Sequence, residues 1–377
     1  MTALTRFTRI LPDEQQTLLL KAALAPLPEA FSAWEQWKSN QSEILAGDPR
    51  GLLARFKNNL DPCSHRLLPL VYQNLKSSGD LVIPLLTPAY NRTAKHNRQV
   101  LGLIKSIVQT LEQHGFEVIL LKGASLVHHY YEDPGVRRSA DVDILVPPGQ
   151  FTGVCRILEK ELQYKPQVRP GSIFFRGMLR VMHSQVFRGE LPVELDVHHR
   201  LFHEHVPDSR TGSFFEDKIR VSLPGDFEAD ILSPTHLLFH VLAHAREPKP
   251  AIRWVADAVT ICRKAPDIRW EELLALSEAY RFTSFFKTML PFLKEHFAVP
   301  VPEDILARLA TTPVHPLEAR YFRVQETIPG HAGGKLHQFF YRDWLRQQLY
   351  QDGPFSLFKF ILQQRDRILY RVWERFS

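Results

Sequence analysis

At 377 residues the chain is long enough to bury a sizeable interior without covalent staples and to divide into two or three packed units. Apolar residues make up 44% and charged residues 23%, which excludes a disordered or fibrous protein. A net charge of +6 favours phosphate-bearing ligands but is too small an excess to mark a nucleic-acid binder. The three cysteines, Cys63, Cys155 and Cys262, are odd in number, far apart and without a CxxC pair, so a disulfide framework or cysteine zinc site is not expected and a reducing cytoplasm fits. No apolar run is long enough for a transmembrane segment, and Met1 to Pro26 lacks the apolar centre of a signal peptide.

From Asp13 to about Leu75, apolar residues recur at helical spacing, as in Leu18, Leu19 and Ala22 and again in Leu52, Leu53, Phe56 and Leu60. This predicts an N-terminal helical region over 1–93, with the proline-containing stretch Leu81 to Pro88 leading out of it. Between Ala94 and His114, Val100, Leu101, Ile104, Ile107, Val108 and Leu111 form one stripe of a long helix, which Gly115 can end in a left-handed conformation. A strand is expected over Phe116 to Leu121, a short helix over Ser125 to Tyr131, a strand over Val142 to Val146 and a helix over Pro148 to Leu162. Ile173 to His199 reads as two or three more strands, with Ser184 to Phe187 and Pro192 to His198 the clearest. The mixed unit is therefore 94–225. Ser233-Pro234 then starts a helical C-terminal region over 226–377.

Chemistry concentrates in the mixed unit. In a strand, alternate side chains share a face, so Asp141 and Asp143 point one way while Val142 and Ile144 point into the core. Glu194, Asp196 and His198 share a face of a later strand in the same manner. Like charges this close raise one another's pKa unless a cation lies between them, and hard divalent ions take such oxygen ligands. On the dipeptide pattern alone, a strand end decorated with turn-forming aspartates is an equal reading.

Lys122-Gly123-Ala124-Ser125, Arg137 four residues before Asp141, the run Asp141-Val142-Asp143-Ile144-Leu145-Val146 and the later Glu194-Leu195-Asp196-Val197-His198 together resemble the uncharacterised nucleotidyltransferase family of the DNA polymerase β-like superfamily. The likeness covers the mixed unit and continues from Ser233 to about Cys262. It implies an α+β fold: a minimal nucleotidyltransferase core, a small mixed sheet with helices, flanked by N-terminal and C-terminal helical regions. It further implies Mg²⁺ or Mn²⁺ held by Asp141, Asp143 and Asp196, a nucleoside triphosphate contacted by Lys122, Gly123, Ser125, Arg137 and His198, and two-metal in-line transfer of its nucleotidyl group to a hydroxyl. The acceptor, a small molecule, a protein or an RNA, is left open. The superfamily's turn has glycine followed directly by glycine or serine; Ala124 interrupts that pattern here and admits a second reading, a nucleotide-binding or regulatory protein without turnover.

Three further features lie outside the acidic strands. His236, His240 and His244 form a stripe on one helix face and read as histidines packed between helices, or with His198 as part of a histidine-carboxylate metallohydrolase, though the acidic base of an HExxH motif is absent. Arg253-Trp254-Val255-Ala256-Asp257 is expected to anchor the helical region to the core, with base stacking by Trp254 as the alternative. Phe358, Ile361, Leu362, Leu369, Val372 and Phe376, with Lys359, Arg365, Arg367, Arg371 and Arg375, form a basic amphipathic helix that is expected to pack on its neighbours, peripheral membrane contact being the alternative.

Overall fold

A computed structural model describes residues 10–172, 182–202, 208–245 and 252–327, with the isolated positions 175, 179, 341, 344–345 and 348–349. The amphipathic segment 358–376 lies outside the described residues. Contacts divide the chain into two compact units interleaved along the sequence. Of the described residues, one gathers those within 10–98, 126–138 and 234–327; the other gathers those within 99–125 and 139–233. Among the described residues, no helix is long and apolar enough to cross a membrane.

The helix Thr87–Gln113 carries the chain from the first unit into the second. Of its predicted stripe, Val100, Ile104, Ile107, Val108 and Leu111 are at most 1% exposed, each contributing about 1.5–3 kcal/mol of burial, while Leu101 at the stripe's edge is half-buried. Gly115 ends the helix at φ +73°, and the Phe116 N–H closes on the Leu111 carbonyl at 3.0 Å, which satisfies an orphaned helix-end acceptor.

The second unit is built on a seven-stranded sheet. In chain order its strands are β1 (Ile119–Leu120), β2 (Asp141–Leu145), β3 (Lys165–Pro166), β4 (Ser184–Arg188), β5 (Glu194–His198), β6 (Lys218–Leu223) and β7 (Phe227–Leu232). Their spatial order is β3-β4-β5-β2-β1-β7-β6. β2 and β5 run parallel at its centre, β4 antiparallel to β5, and β1 antiparallel to β2 but parallel to β7. Val142, Ile144, Leu195 and Val197 are buried, as are Phe151, Val154, Cys155 and Leu158 of the helix Phe151–Lys160. The β6–β7 hairpin extends the sheet past the boundary at 225 read from the sequence. Its alternation, Ile219, Val221 and Leu223 against Phe227, Ala229 and Ile231, turns through Gly225 at φ +91° and Asp226 at φ 54°.

The first unit is helical. Glu14–Leu24 opens with a reciprocal cap in which Asp13 accepts from the Gln16 N–H and Gln16 accepts from the Asp13 N–H. Trp34 stacks on Trp37, and Phe239, Phe282 and Phe286 form an aromatic centre. Within the short helix predicted over Ser125 to Tyr131, Leu126–Tyr130 is a wider turn, closed by the Tyr131 N–H on the Leu126 carbonyl five residues back at 2.8 Å. It buries His128, and burial pushes this imidazole down to about 4. The unfolded chain therefore takes up a proton near pH 6.5 that the folded chain refuses. Stability is expected to be full above that value and to fall by about 3 kcal/mol as the pH drops from 6.5 to 4. Urea denaturation of wild type and His128→Gln across this range checks it: the variant's pH slope should be the shallower.

Candidate active site

The site grows from the register of two strands. In the β2–β5 pair Asp141 lies opposite Glu194 and Asp143 opposite Asp196. Leu195 and Val197 hold β5 in the core, so Glu194, Asp196 and His198 must share its other face, exposed at Glu194 and closed over at His198. Asp143 is 3% exposed, whereas the Asp196 side chain retains 24%. His198 completes the group: its Nε2 lies 3.3 Å from Asp143 Oδ1 and 3.4 Å from Asp196 Oδ2. One ligand atom from each of the three residues falls within 4.8 Å of the others.

A buried carboxylate and a half-buried one side by side repel, and the imidazolium between them relieves the repulsion. Burial works against the charge on His198, but the Asp196 and Asp143 carboxylates outweigh it and raise this histidine to about 10. His183 sets its ring edgewise to His198 at 5.0 Å. Asp196 Oδ1 and His198 Nδ1 are buried without a hydrogen-bond partner. An orphaned carboxylate oxygen beside a second carboxylate and an imidazole is a donor set that suits a divalent ion.

The turn read as phosphate-binding sits beside this strand. The Leu121 N–H donates to the Asp143 carbonyl at 3.0 Å, and Lys122–Ser125 forms a single helical turn after β1. Ser139 Oγ donates to the Asp141 carbonyl at 2.9 Å, and a Cβ built on Gly123 would stand 2.8 Å from that same Oγ. Glycine is thus required for packing of the turn on the approach to β2. Ser125 is fully buried and donates its hydroxyl back to the Leu121 carbonyl at 3.1 Å, while Lys122 stays half-exposed.

Arg137 belongs to the helical unit. It is 3% exposed and forks onto Asp257, Nε to Oδ1 at 2.7 Å and Nη2 to Oδ2 at 2.9 Å, and the Tyr131 hydroxyl donates to the same carboxylate at 3.0 Å. The two partners lie 120 residues apart, and the only trace of their pairing in the sequence is an aspartate on the inner face of the helix Arg253–Lys264, beside Trp254 and Ala258. Trp254 is 4% exposed, with its indole N–H on the Ile10 carbonyl at 3.3 Å, a contact within the helical unit. His236 is buried against Glu272 at 3.2 Å, and the His240 and His244 rings face each other at 6.2 Å.

Residues 63–298 match the protein family described as uncharacterised nucleotidyltransferase. The chain belongs to that family. The match extends over helices that precede and succeed the sheet along the chain. Comparison with curated proteins finds no match. Among solved structures, an antigenic nucleotidyltransferase-like protein from Paracoccidioides brasiliensis is similar at 14% identity, over 59% of this chain and 96% of that one, with a TM-score of 0.36.

Two consequences can be measured. Gly123→Ala is expected to lower stability by about 1–2 kcal/mol through overpacking, and a Gly123→Ala/Ser139→Ala double variant should recover most of it, read by urea denaturation. Removing one partner of the buried pair, as in Arg137→Met, should cost about 3–5 kcal/mol, more than Arg137→Met/Asp257→Leu, because the carboxylate left behind loses its two-pronged partner.

Proposed function

We propose that this chain transfers a nucleotidyl group from a nucleoside triphosphate to an acceptor hydroxyl, with Asp143 and Asp196 as the chief ligands of a divalent ion and Asp141 as a further one. The observation that carries this reading is the in-register pair of a buried Asp143 and a partly exposed Asp196, joined by an imidazole and retaining an oxygen without a hydrogen bond. Magnesium or manganese, when bound, supplies positive charge for phosphoryl oxygens and acidifies a hydroxyl. The protein's own groups do the positioning. The Lys122–Ser125 turn, fixed to β2 through Leu121 and Gly123, offers backbone N–H groups and the Lys122 ammonium to the triphosphate. Asp196, the more open carboxylate, faces the entering hydroxyl. His198, protonated between the two carboxylates, holds them together against their repulsion; once it gives up that proton it would offer a nitrogen donor, a mixed set that favours manganese over magnesium.

The test combines product and spectroscopy. Purified protein incubated with α-labelled triphosphates and Mg²⁺ or Mn²⁺, over panels of small-molecule, protein and RNA acceptors, should release pyrophosphate and label one acceptor class. Asp143→Asn and Asp196→Asn should abolish both while the melting transition survives. Electron paramagnetic resonance of bound Mn²⁺ should show ¹⁴N coupling that disappears in His198→Gln. Nucleotide binding without product in every panel would instead favour a non-catalytic regulator, and failure to bind either Mn²⁺ or nucleotide would remove the reading altogether.

A further inference from the structure

The helical unit contains a second concentration of charge that the metal site does not use. The helices Pro62–Leu75 and Arg253–Lys264 pack together, and their starting ends meet where the Cys63 thiol is hydrogen-bonded to the backbone of Ile252. Arg253, the first residue of the second helix, donates from Nη1 to the Arg138 carbonyl at 3.1 Å. Arg66 succeeds Cys63 by one helical turn, and its charge is felt by Cys63, Arg138 and Arg253 alike. Arg137, beside Arg253, makes a fourth guanidinium.

Against these four cations the neighbourhood offers little negative charge. Asp257 is engaged by both nitrogens of Arg137, and Asp61 caps the first helix by accepting from the Cys63 and Ser64 N–H groups. Among the described residues, no carboxylate forms an ion pair with Arg66, Arg138 or Arg253. The helix Arg253–Lys264 has no side-chain cap at its start, so its first N–H groups and positive dipole end add to the same field. Burial and the adjacent Arg137 together hold Arg253 below the usual arginine range, at about 10. A half-buried guanidinium in such company is unfavourable in isolation and strongly favoured once an anion arrives. Arg66 and Arg138 are exposed, so the cluster is open to ligand.

We propose that Arg66, Arg138 and Arg253, at the meeting ends of these two helices, form an anion site that takes the terminal phosphate group of a ligand. Three planar guanidinium forks suit a tetrahedral dianion with several acceptor oxygens better than a single carboxylate. Arg137 supports the site from behind: fixed on Asp257, it contributes charge and holds the Arg138 backbone, whose neighbouring Arg137 carbonyl accepts from Asn97 at 2.7 Å. The assignment does not depend on the metal reading, since every residue in it lies within the helical unit.

Isothermal titration of the full chain in EDTA, with inorganic phosphate and with inorganic tripolyphosphate as probes, tests it with the metal site silent. Wild type should bind at least one probe, and the better-bound one reports whether the natural ligand ends in a single phosphate or a chain. Arg66→Gln/Arg138→Gln, two exposed positions that leave unliganded melting unchanged, should weaken binding by roughly tenfold or more. Lys76→Gln/Lys95→Gln, which removes the same charge from elsewhere in the unit, should leave affinity within about twofold at the same salt. Absence of binding by wild type, or equal losses in the two double variants, would overturn the assignment, the latter because it would reduce the effect to diffuse charge.

Discussion

Two carboxylates held side by side in a protein interior repel one another, and β2 and β5 impose that arrangement through backbone pairing alone. Parallel register sets Asp143 opposite Asp196, and the apolar alternation of Val142, Ile144, Leu195 and Val197 prevents either strand from rotating its acids away. A shift by one residue would put the acids into the core and the valines into the site. Because the register is fixed by burial, the electrostatic conflict has to be resolved by a positive partner, and His198 supplies one from the same strand. The closeness of the pair and the geometry of the turn at Gly123, through Ser139 and the Asp141 carbonyl, both result from this one constraint.

The helical unit resolves its own charge differently. Arg137 and Asp257 are both almost fully buried and satisfy each other through a two-pronged contact, which orients the segment 126–138 without contributing much net stability. Beside them, Arg253 bonds a backbone carbonyl, and the attraction of the Asp257 carboxylate is outweighed by burial and by Arg137. One buried arginine is thus neutralised within the fold, and its neighbour is not. That contrast separates a structural cation from one placed to meet a ligand.

The aspartates, the glycine turn and the histidine of β5 are legible because each sits in a local pattern whose period is visible in a few residues: acids two apart, apolar residues between them, a glycine where a strand ends. The long helix is legible for the same reason, and so is its glycine end. Other elements are less so. The β6–β7 hairpin carries a regular alternation but comes after a stretch already rich in strands, and a boundary at 225 closes the unit too early, at the very glycine that turns the hairpin. Ser125 and Arg137 match a motif by position, whereas the directions of their polar groups, toward Leu121 and Asp257, are set by packing.

The sequence by itself determined the class of fold, the faces of the strands and the identity of the acidic residues, since periodicity and residue type are local properties. Only the tertiary structure decided which acids become partners, that Asp143 meets Asp196 with His198 between them, and that Arg137 closes on an aspartate 120 residues away. The reason is physical: pairing across a sheet and ion pairing between distant segments are settled by burial and register over the whole chain, and no short window of residues encodes the distance between two side chains.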